Sequence, residues 1–290
     1  MIRARAAVIG GSGFYALEDL TDVEEVRPDT PFGPPSDTIV IGTLKGTRVA
    51  FLPRHGRGHR ILPSDLPARA NIYALKTLGV EFVIGVSAVG SLRQEIAPLD
   101  LTVPDQLIDR TAGRPSTFFG DGLAAHVPFA EPFCPVLRRA LYEAATQAGA
   151  TVHNGGTLVV MEGPAFSTRA ESALHRTWGA SLIGMTALPE AKLAREAEMC
   201  YATLACTTDY DCWHESYGSV TAEMIVRNLM ESLAVARQSV LLALGRLPAH
   251  RDCPCACALR DAVVTPWHLV PEGTKRKLAP IISKYLEQPE

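Results

Sequence analysis

Ala6-Ala7-Val8-Ile9-Gly10-Gly11-Ser12-Gly13-Phe14-Tyr15-Ala16 runs four apolar residues straight into a glycine turn near the start of the chain. A short buried strand that ends in such a turn delivers free backbone amides to an anionic ligand. The stretch fits the loose form of the dinucleotide fingerprint, from Gly11 through Gly13 to Ala16, but that match alone is weak. What decides the fold is that the pattern recurs. Ala6 to Ile9, Asp37 to Ile41, Arg48 to Leu52, Glu81 to Ser87, Asp100 to Val103, Thr157 to Met161, Ser181 to Gly184 and Tyr201 to Thr207 are all β-branched and apolar, as strands are. Helical spacing alternates with them over Ala68 to Leu78, Pro135 to Ala148, Thr168 to Trp178, Pro189 to Glu198 and Thr221 to Leu244. The expectation is an α/β fold, a single domain spanning residues 1–290 with a central mixed β-sheet flanked by helices. The segment 246–290, richer in Pro, Cys and charge, is expected to be a cysteine-containing appendage to it.

The chain has 290 residues, 47% of them apolar, and a net charge of −3. That is enough to bury a large core, and it leaves no basic field to collect nucleic acid. The arginine-bearing start is followed by too short an apolar run for a secretory signal, and Leu233 to Leu247 is interrupted by Arg237, Gln238 and Arg246. A cytoplasmic protein with neither nucleic-acid nor membrane partners is expected.

Four strand ends carry hydroxyls or cations. Arg54-His55-Gly56-Arg57-Gly58-His59-Arg60 sets three arginines and two histidines beside two glycines, a plausible oxyanion site, although a solvated basic loop has the same composition. Val86-Ser87-Ala88-Val89-Gly90-Ser91 is read as a second small-residue turn, and Gly184-Met185-Thr186-Ala187-Leu188-Pro189-Glu190 as a third, opening a helix. Each alone is compatible with ordinary turn chemistry; together they favour phosphate at the carboxyl ends of the strands. The last, Thr208-Asp209-Tyr210-Asp211-Cys212-Trp213, places two carboxylates two residues apart, as a hydrated turn or as a coupled pair in which one Asp keeps a proton near neutral pH. No nearby histidine pair completes a metal site, and no metal ligand is assigned.

These stretches, together with Pro31-Phe32-Gly33, Arg69-Ala70-Asn71-Ile72, Ile108-Asp109-Arg110-Thr111, Glu162-Gly163-Pro164 and Phe166-Ser167-Thr168-Arg169, resemble the trimeric purine nucleoside phosphorylases, and among them the methylthioadenosine-cleaving branch. The resemblance implies that the glycine turn holds inorganic phosphate, the second substrate, and that no cofactor is needed. By position it assigns phosphate to Ser12, Arg54, His55, Ser87, the Ala88 amide and Thr186. It sets Met185 beneath the ribose and Phe166 on the purine face, with Ser167, Asp209 and Asp211 at the purine edge. Asp209 is then the acid that protonates purine N7, with Asp211 holding that proton, while phosphate attacks the anomeric carbon.

Relatives that cleave 6-oxopurines carry Glu and Asn where this chain has Ser167 and Asp209, so the resemblance implies a 6-aminopurine. The 5′ pocket would be closed by Ala222, Ile225 and Val226, with His126 supplied by a neighbouring subunit, which implies a homotrimer or a hexamer of paired trimers. The alternative is a broader phosphorylase acting on adenosine, 5′-deoxyadenosine or methylthioinosine. A nucleotide-dependent oxidoreductase and a non-catalytic nucleoside-binding protein are the rivals from other classes: the first gives no account of Arg54-His55, Met185-Thr186 or Asp209-Tyr210-Asp211, and the second would keep the pocket but need no acid.

The cysteines divide into two sets. Cys134, Cys200, Cys206 and Cys212 lie in apolar sequence, as reduced core thiols do. Cys253-Pro254-Cys255-Ala256-Cys257 reads first as reduced surface thiols, next as a redox-labile disulfide, and last as a metal site, because three cysteines at that spacing have no clear fourth ligand.

Overall fold

In a computed structural model of the chain, which describes residues 4–10, 20–215 and 220–286, strand alternation separates the core into two faces. On the first strand, β1 (Ala6–Gly10), Ala7 and Ile9 point into one apolar cluster while Ala6 and Val8 point into another. A strand buried on both faces reads as a continuous apolar run, which is why this segment was legible.

The chain continues through β2 (Thr21–Val26), β3 (Ile39–Leu44), β4 (Thr47–Pro53), α1 (Ala68–Thr77), β5 (Phe82–Ser91), β6 (Leu101–Val103), β7 (Gln106–Arg110) and α2 (Pro135–Gln147). It then forms β8 (Val152–Asn154), β9 (Thr157–Met161), α3 (Arg169–Thr177), β10 (Leu182–Gly184), α4 (Ala187–Glu196), β11 (Cys200–Asp209) and α5 (Ala222–Leu244), and closes with α6 (Glu272–Lys277) and α7 (Ala279–Leu286). The eleven strands of the described residues join one mixed sheet, in the order β2-β3-β4-β1-β5-β10-β9-β7, with β11 pairing both β5 and β6, and β6 pairing β8.

The sheet forks at β5. Its first half lies between β1 and β11 in parallel register, Ala6 and Cys200 both opposite Phe82, while its last two residues, Gly90 and Ser91, pair antiparallel with Ile183 and Leu182 of β10. One face is covered by α1, α4 and α7 through Ile72, Leu75, Leu193, Ile281 and Ile282. The other is covered by α2 and α5, whose Leu137, Leu141, Leu233, Ala236 and Val240 recur at helical spacing.

Three departures from the sequence reading have physical causes. The Val86–Ser91 stretch is strand, not turn: β5 runs through it because β11 and β10 both pair with its small residues. Three short strands escaped the apolar criterion. β2, Thr-Asp-Val-Glu-Glu-Val, is a charged and largely exposed edge, and β7 and β8 are polar strands fixed by pairing with β9 and β6. Finally, Cys253 and Cys255 are buried rather than on the surface. The segment that carries them packs into the body, with Leu259, Ala262, Leu278, Ile281 and Ile282 in the same apolar cluster as Ile9 and Leu52.

Candidate active site

The end of β11 is built around an irregularity. Thr207 pairs with Val89 and Asp209 with Gly90, so Thr208 is an extra residue in the ladder, and this bulge re-aims Asp209. Gly90 opposite provides the room: a Cβ there would stand 2.8 Å from Asp209 Oδ1 and 3.1 Å from Ile183 Cγ2. Asp209 is 4% exposed. Its Oδ2 accepts from the Thr208 hydroxyl at 2.8 Å and its Oδ1 from the Asp211 amide at 2.8 Å. Burial raises the Asp209 pKa, the two hydrogen bonds oppose that shift, and the neighbouring Asp211 charge adds to it as the smallest contribution. Burial, more than the carboxylate pairing expected from sequence, therefore favours a proton on Asp209.

The amide of Asn228, on α5, donates to the Thr208 carbonyl at 2.6 Å and ties the start of that helix to the bulge. The loop beyond is held by Trp213 Nε1, which donates to the Ser91 carbonyl at 2.8 Å, and by Tyr210, whose hydroxyl donates to the Gln94 carbonyl at 3.2 Å.

Of the residues expected to bind phosphate, Ser87 on β5 and Thr186 at the start of α4 meet directly, and Arg54 after β4 links β5 to α4. Ser87 Oγ and Thr186 Oγ1 are 3.0 Å apart, and Thr186 is the N-cap of α4 with its side chain uncommitted to the helix. Arg54, 1% exposed, leaves the end of β4 and reaches β1, the Val86 carbonyl next to Ser87, and α4. Its guanidinium donates to both Glu190 oxygens, at 2.6 and 3.0 Å, to the Val86 carbonyl at 2.8 Å and to the Ile9 carbonyl at 3.2 Å. Tyr201 adds a third donor to Glu190 at 3.0 Å.

His55 Nδ1 is 2.8 Å from the Ile61 carbonyl, so that nitrogen carries the proton and donates. Burial first, and then the Arg54 charge, push its pKa down to about 4. The ring is neutral at pH 7 and offers Nε2 as an acceptor, which suits a protonated phosphate oxygen. Ala88 lies between Ser87 and Val89 on β5, opposite Cys206. Ser12 lies outside the described residues.

The Met185 turn, expected to lie under the ribose, is braced by Arg114, which has no signature in the sequence. Arg114 donates to the Met185 and Leu188 carbonyls at 2.7 and 2.9 Å, to Glu162 Oε2 at 3.0 Å and to the Met161 carbonyl at 3.3 Å, so it clamps the turn that presents Met185. Met185 in turn occupies the space over Gly163, where a Cβ would meet its sulfur at 2.6 Å. Ser167 is joined to the β11 loop through its carbonyl, which accepts from Cys212 Sγ at 3.4 Å, while Phe166 remains 43% exposed.

On the first turns of α5, Ala222 is exposed, Ile225 half-buried and Val226 59% exposed. His126 is exposed on a loop whose backbone pairs with the Ala262–Val263 segment.

Of the missed residues, Glu190 had a signal: an arginine destined for burial needs a carboxylate, and Glu190 stood in the quoted Thr186 stretch. Arg114 and Asn228 act on backbone carbonyls and leave no spacing signature.

The profile of the phosphorylase superfamily matches residues 5–244. The chain belongs to this family. The superfamily's S-methyl-5′-thioadenosine phosphorylase from Gloeobacter violaceus is 57% identical over 98% of this chain and 96% of its own. A methylthioadenosine phosphorylase from an Antarctic soil metagenomic library superposes with a TM-score of 0.93 at 48% identity, covering 97% of this chain and 99% of that one. The methylthioadenosine phosphorylase of Schistosoma mansoni, solved in complex with adenine, gives a TM-score of 0.82 at 34% identity, over 97% and 98% of the two chains. The forked mixed sheet is thus the nucleoside phosphorylase fold. Among the described residues no helix is long and apolar enough to cross a membrane.

Proposed function

We propose that this protein cleaves S-methyl-5′-thioadenosine by phosphorolysis, releasing adenine and 5-methylthioribose 1-phosphate, with inorganic phosphate as co-substrate and no cofactor. One observation carries the chemistry: a buried carboxyl at the β11 bulge, favoured in its protonated form, stands on the strand beside the one that carries Ser87 of the Ser87–Thr186 pair. The near-full-length relatives that bear the methylthioadenosine phosphorylase name support the substrate.

Breaking the N-glycosidic bond leaves a cationic sugar and an electron-rich purine. Phosphate held by Arg54, His55, Ser87, the Ala88 amide, Thr186 and Ser12 stabilises the cation. It then bonds to the anomeric carbon from the face opposite the base, inverting that centre. On the other face, Asp209 gives its proton to purine N7 as the carbon–nitrogen bond breaks, and Asp211, through its amide, holds the Asp209 carboxyl in place. Met185 lies under the ribose, and Phe166 and Ser167 line the base. Ser167 withholds the acceptor that an N1 proton would need, which favours a 6-aminopurine.

The 5′ group meets Ala222, Ile225 and Val226, with His126 from a neighbouring subunit in a homotrimer. The exposed apolar positions Ala222, Val226 and Met230, four residues apart on one face of α5, support such a covered surface. We place the reaction in the cytoplasm, in purine and methionine salvage.

A substrate panel tests the specificity. S-methyl-5′-thioadenosine should give the highest kcat/KM. Adenosine should be poorer by about 10- to 200-fold, because an apolar 5′ wall separates methylthio from hydroxyl by about 1–3 kcal/mol. Methylthioinosine should be poorer still, and faster cleavage of methylthioinosine overturns the roles given to Ser167 and Asp209.

A further inference from the structure

Four cysteines from three separate parts of the sequence meet at the end of the sheet opposite the candidate active site. Cys134 is the residue before α2, and its amide donates to the Tyr201 carbonyl at 2.8 Å. Cys200 opens β11. Cys253 and Cys255 arrive from the C-terminal segment, the second of them in a short 3-10 turn, Pro254–Cys257. All four are buried, their sulfurs all lie within 4.8 Å of one another, and the Cys200 and Cys253 sulfurs are 3.3 Å apart. A tetrahedral zinc tetrathiolate with bonds of about 2.3 Å has sulfur–sulfur edges of about 3.8 Å, so the quartet has the size and the number of ligands of such a centre. In the sequence the three tail cysteines have no clear fourth ligand. The fold takes two of those three and adds two from the body, leaving Cys257 outside the group.

Two further features fit a charged centre rather than four neutral thiols. The cluster abuts a cavity of about 350 Å³ lined by Cys253 and by the cations Arg251, Arg260 and Lys284, of which Arg251 pairs with Glu81 and Lys284 with Glu198, so positive charge stands beside the position of a zinc tetrathiolate of net charge −2. Cys134 also stands at a helix N-terminus, where a thiolate is favoured. The segment is anchored beside the cluster independently of the sulfurs. Glu198 accepts from the Leu259 amide at 3.0 Å and pairs with Lys284, and its carbonyl accepts from Arg251 at 2.7 Å. Ligands held this way are pre-positioned for an ion.

We propose that Cys134, Cys200, Cys253 and Cys255 bind one structural zinc ion per chain, fastening the C-terminal segment to the phosphorylase body. Binding displaces four thiol protons to solvent and leaves no open coordination position, so the site is structural. Cys200 and Asp209 lie at opposite ends of a ten-residue strand, about 30 Å apart at 3.3 Å per residue, so the ion is remote from the purine.

The test is metal analysis of the full-length protein purified without chelators, with denatured intact mass measured alongside. The expected result is one zinc per chain with all seven cysteines reduced. A mercurial titration of the same wild-type protein should release that zinc to a chromogenic chelator. Cys255→Ser should lose the zinc and lower the Tm, whereas Cys257→Ala should retain it. Because the wild-type measurements need no variant, a Cys255→Ser protein that fails to fold leaves the test intact. No zinc together with a mass short by a hydrogen pair for each disulfide overturns the proposal, as does no zinc with fully reduced thiols.

Discussion

Asp209→Asn should lower kcat for adenine release from S-methyl-5′-thioadenosine by about 10²- to 10⁴-fold, the usual contribution of a positioned general acid. Asparagine keeps an acceptor for the Asp211 amide and a polar group beside the Thr208 hydroxyl, so the loop should survive and the loss should fall on kcat rather than on the KM for phosphate. The sign of the pH dependence follows from the raised pKa of Asp209. The reaction needs the acid form, so wild-type kcat falls as pH rises through that pKa, and the variant should lack that limb. Gly90→Ala is the companion experiment. It leaves Asp209 chemically unchanged but pushes on Oδ1 and on Ile183, and a misplacement of that size costs about 10²-fold. Full activity in Asp209→Asn removes the carboxyl from its catalytic role.

The second large effect is on stability. Glu190→Gln should destabilise the ligand-free protein by about 3–5 kcal/mol, because it strands the Arg54 cation, 1% exposed, without its carboxylate. The loss should be smaller in phosphate. A bound phosphate supplies the missing negative charge, so phosphate should raise the Tm of the variant by more than it raises that of the wild type. Thermal unfolding of both proteins across a phosphate titration measures this. Equal phosphate shifts in the two proteins would mean that Arg54 does not face the anion.

The parts of the fold that were legible are those where one residue type answers one physical need. Ala6 to Ile9 is apolar on every position because both of its faces are buried, and Arg54-His55, Thr186 and Asp209 announce themselves as charged or hydroxyl groups at strand ends. What was not legible depends on partners far away in the chain. The edge strand Thr21–Val26 is strand only because Ile39–Leu44 pairs with it. The bulge at Thr208 exists only in register with Val89 and Gly90, and Gly90 looks like a turn glycine until Asp209 is seen opposite. Arg114 and Asn228 work through contacts with the Met185 and Thr208 carbonyls, which no local pattern links to them, whereas Glu190 was signalled only by the need of a buried Arg54 for a carboxylate. The cysteine quartet follows the same rule: Cys200 and Cys253 are 53 residues apart in sequence and become neighbours only when the tail packs against β11.

The most direct test of the central claim is whether adenine release from S-methyl-5′-thioadenosine requires phosphate, followed together with the ³¹P spectrum of the products. The proposed reaction predicts no release after exhaustive removal of phosphate, restoration on adding it back, and one sugar 1-phosphate ester formed for each adenine released. Release at an undiminished rate without phosphate, giving free methylthioribose, would make water the nucleophile and contradict the role given to Arg54, His55, Ser87 and Thr186.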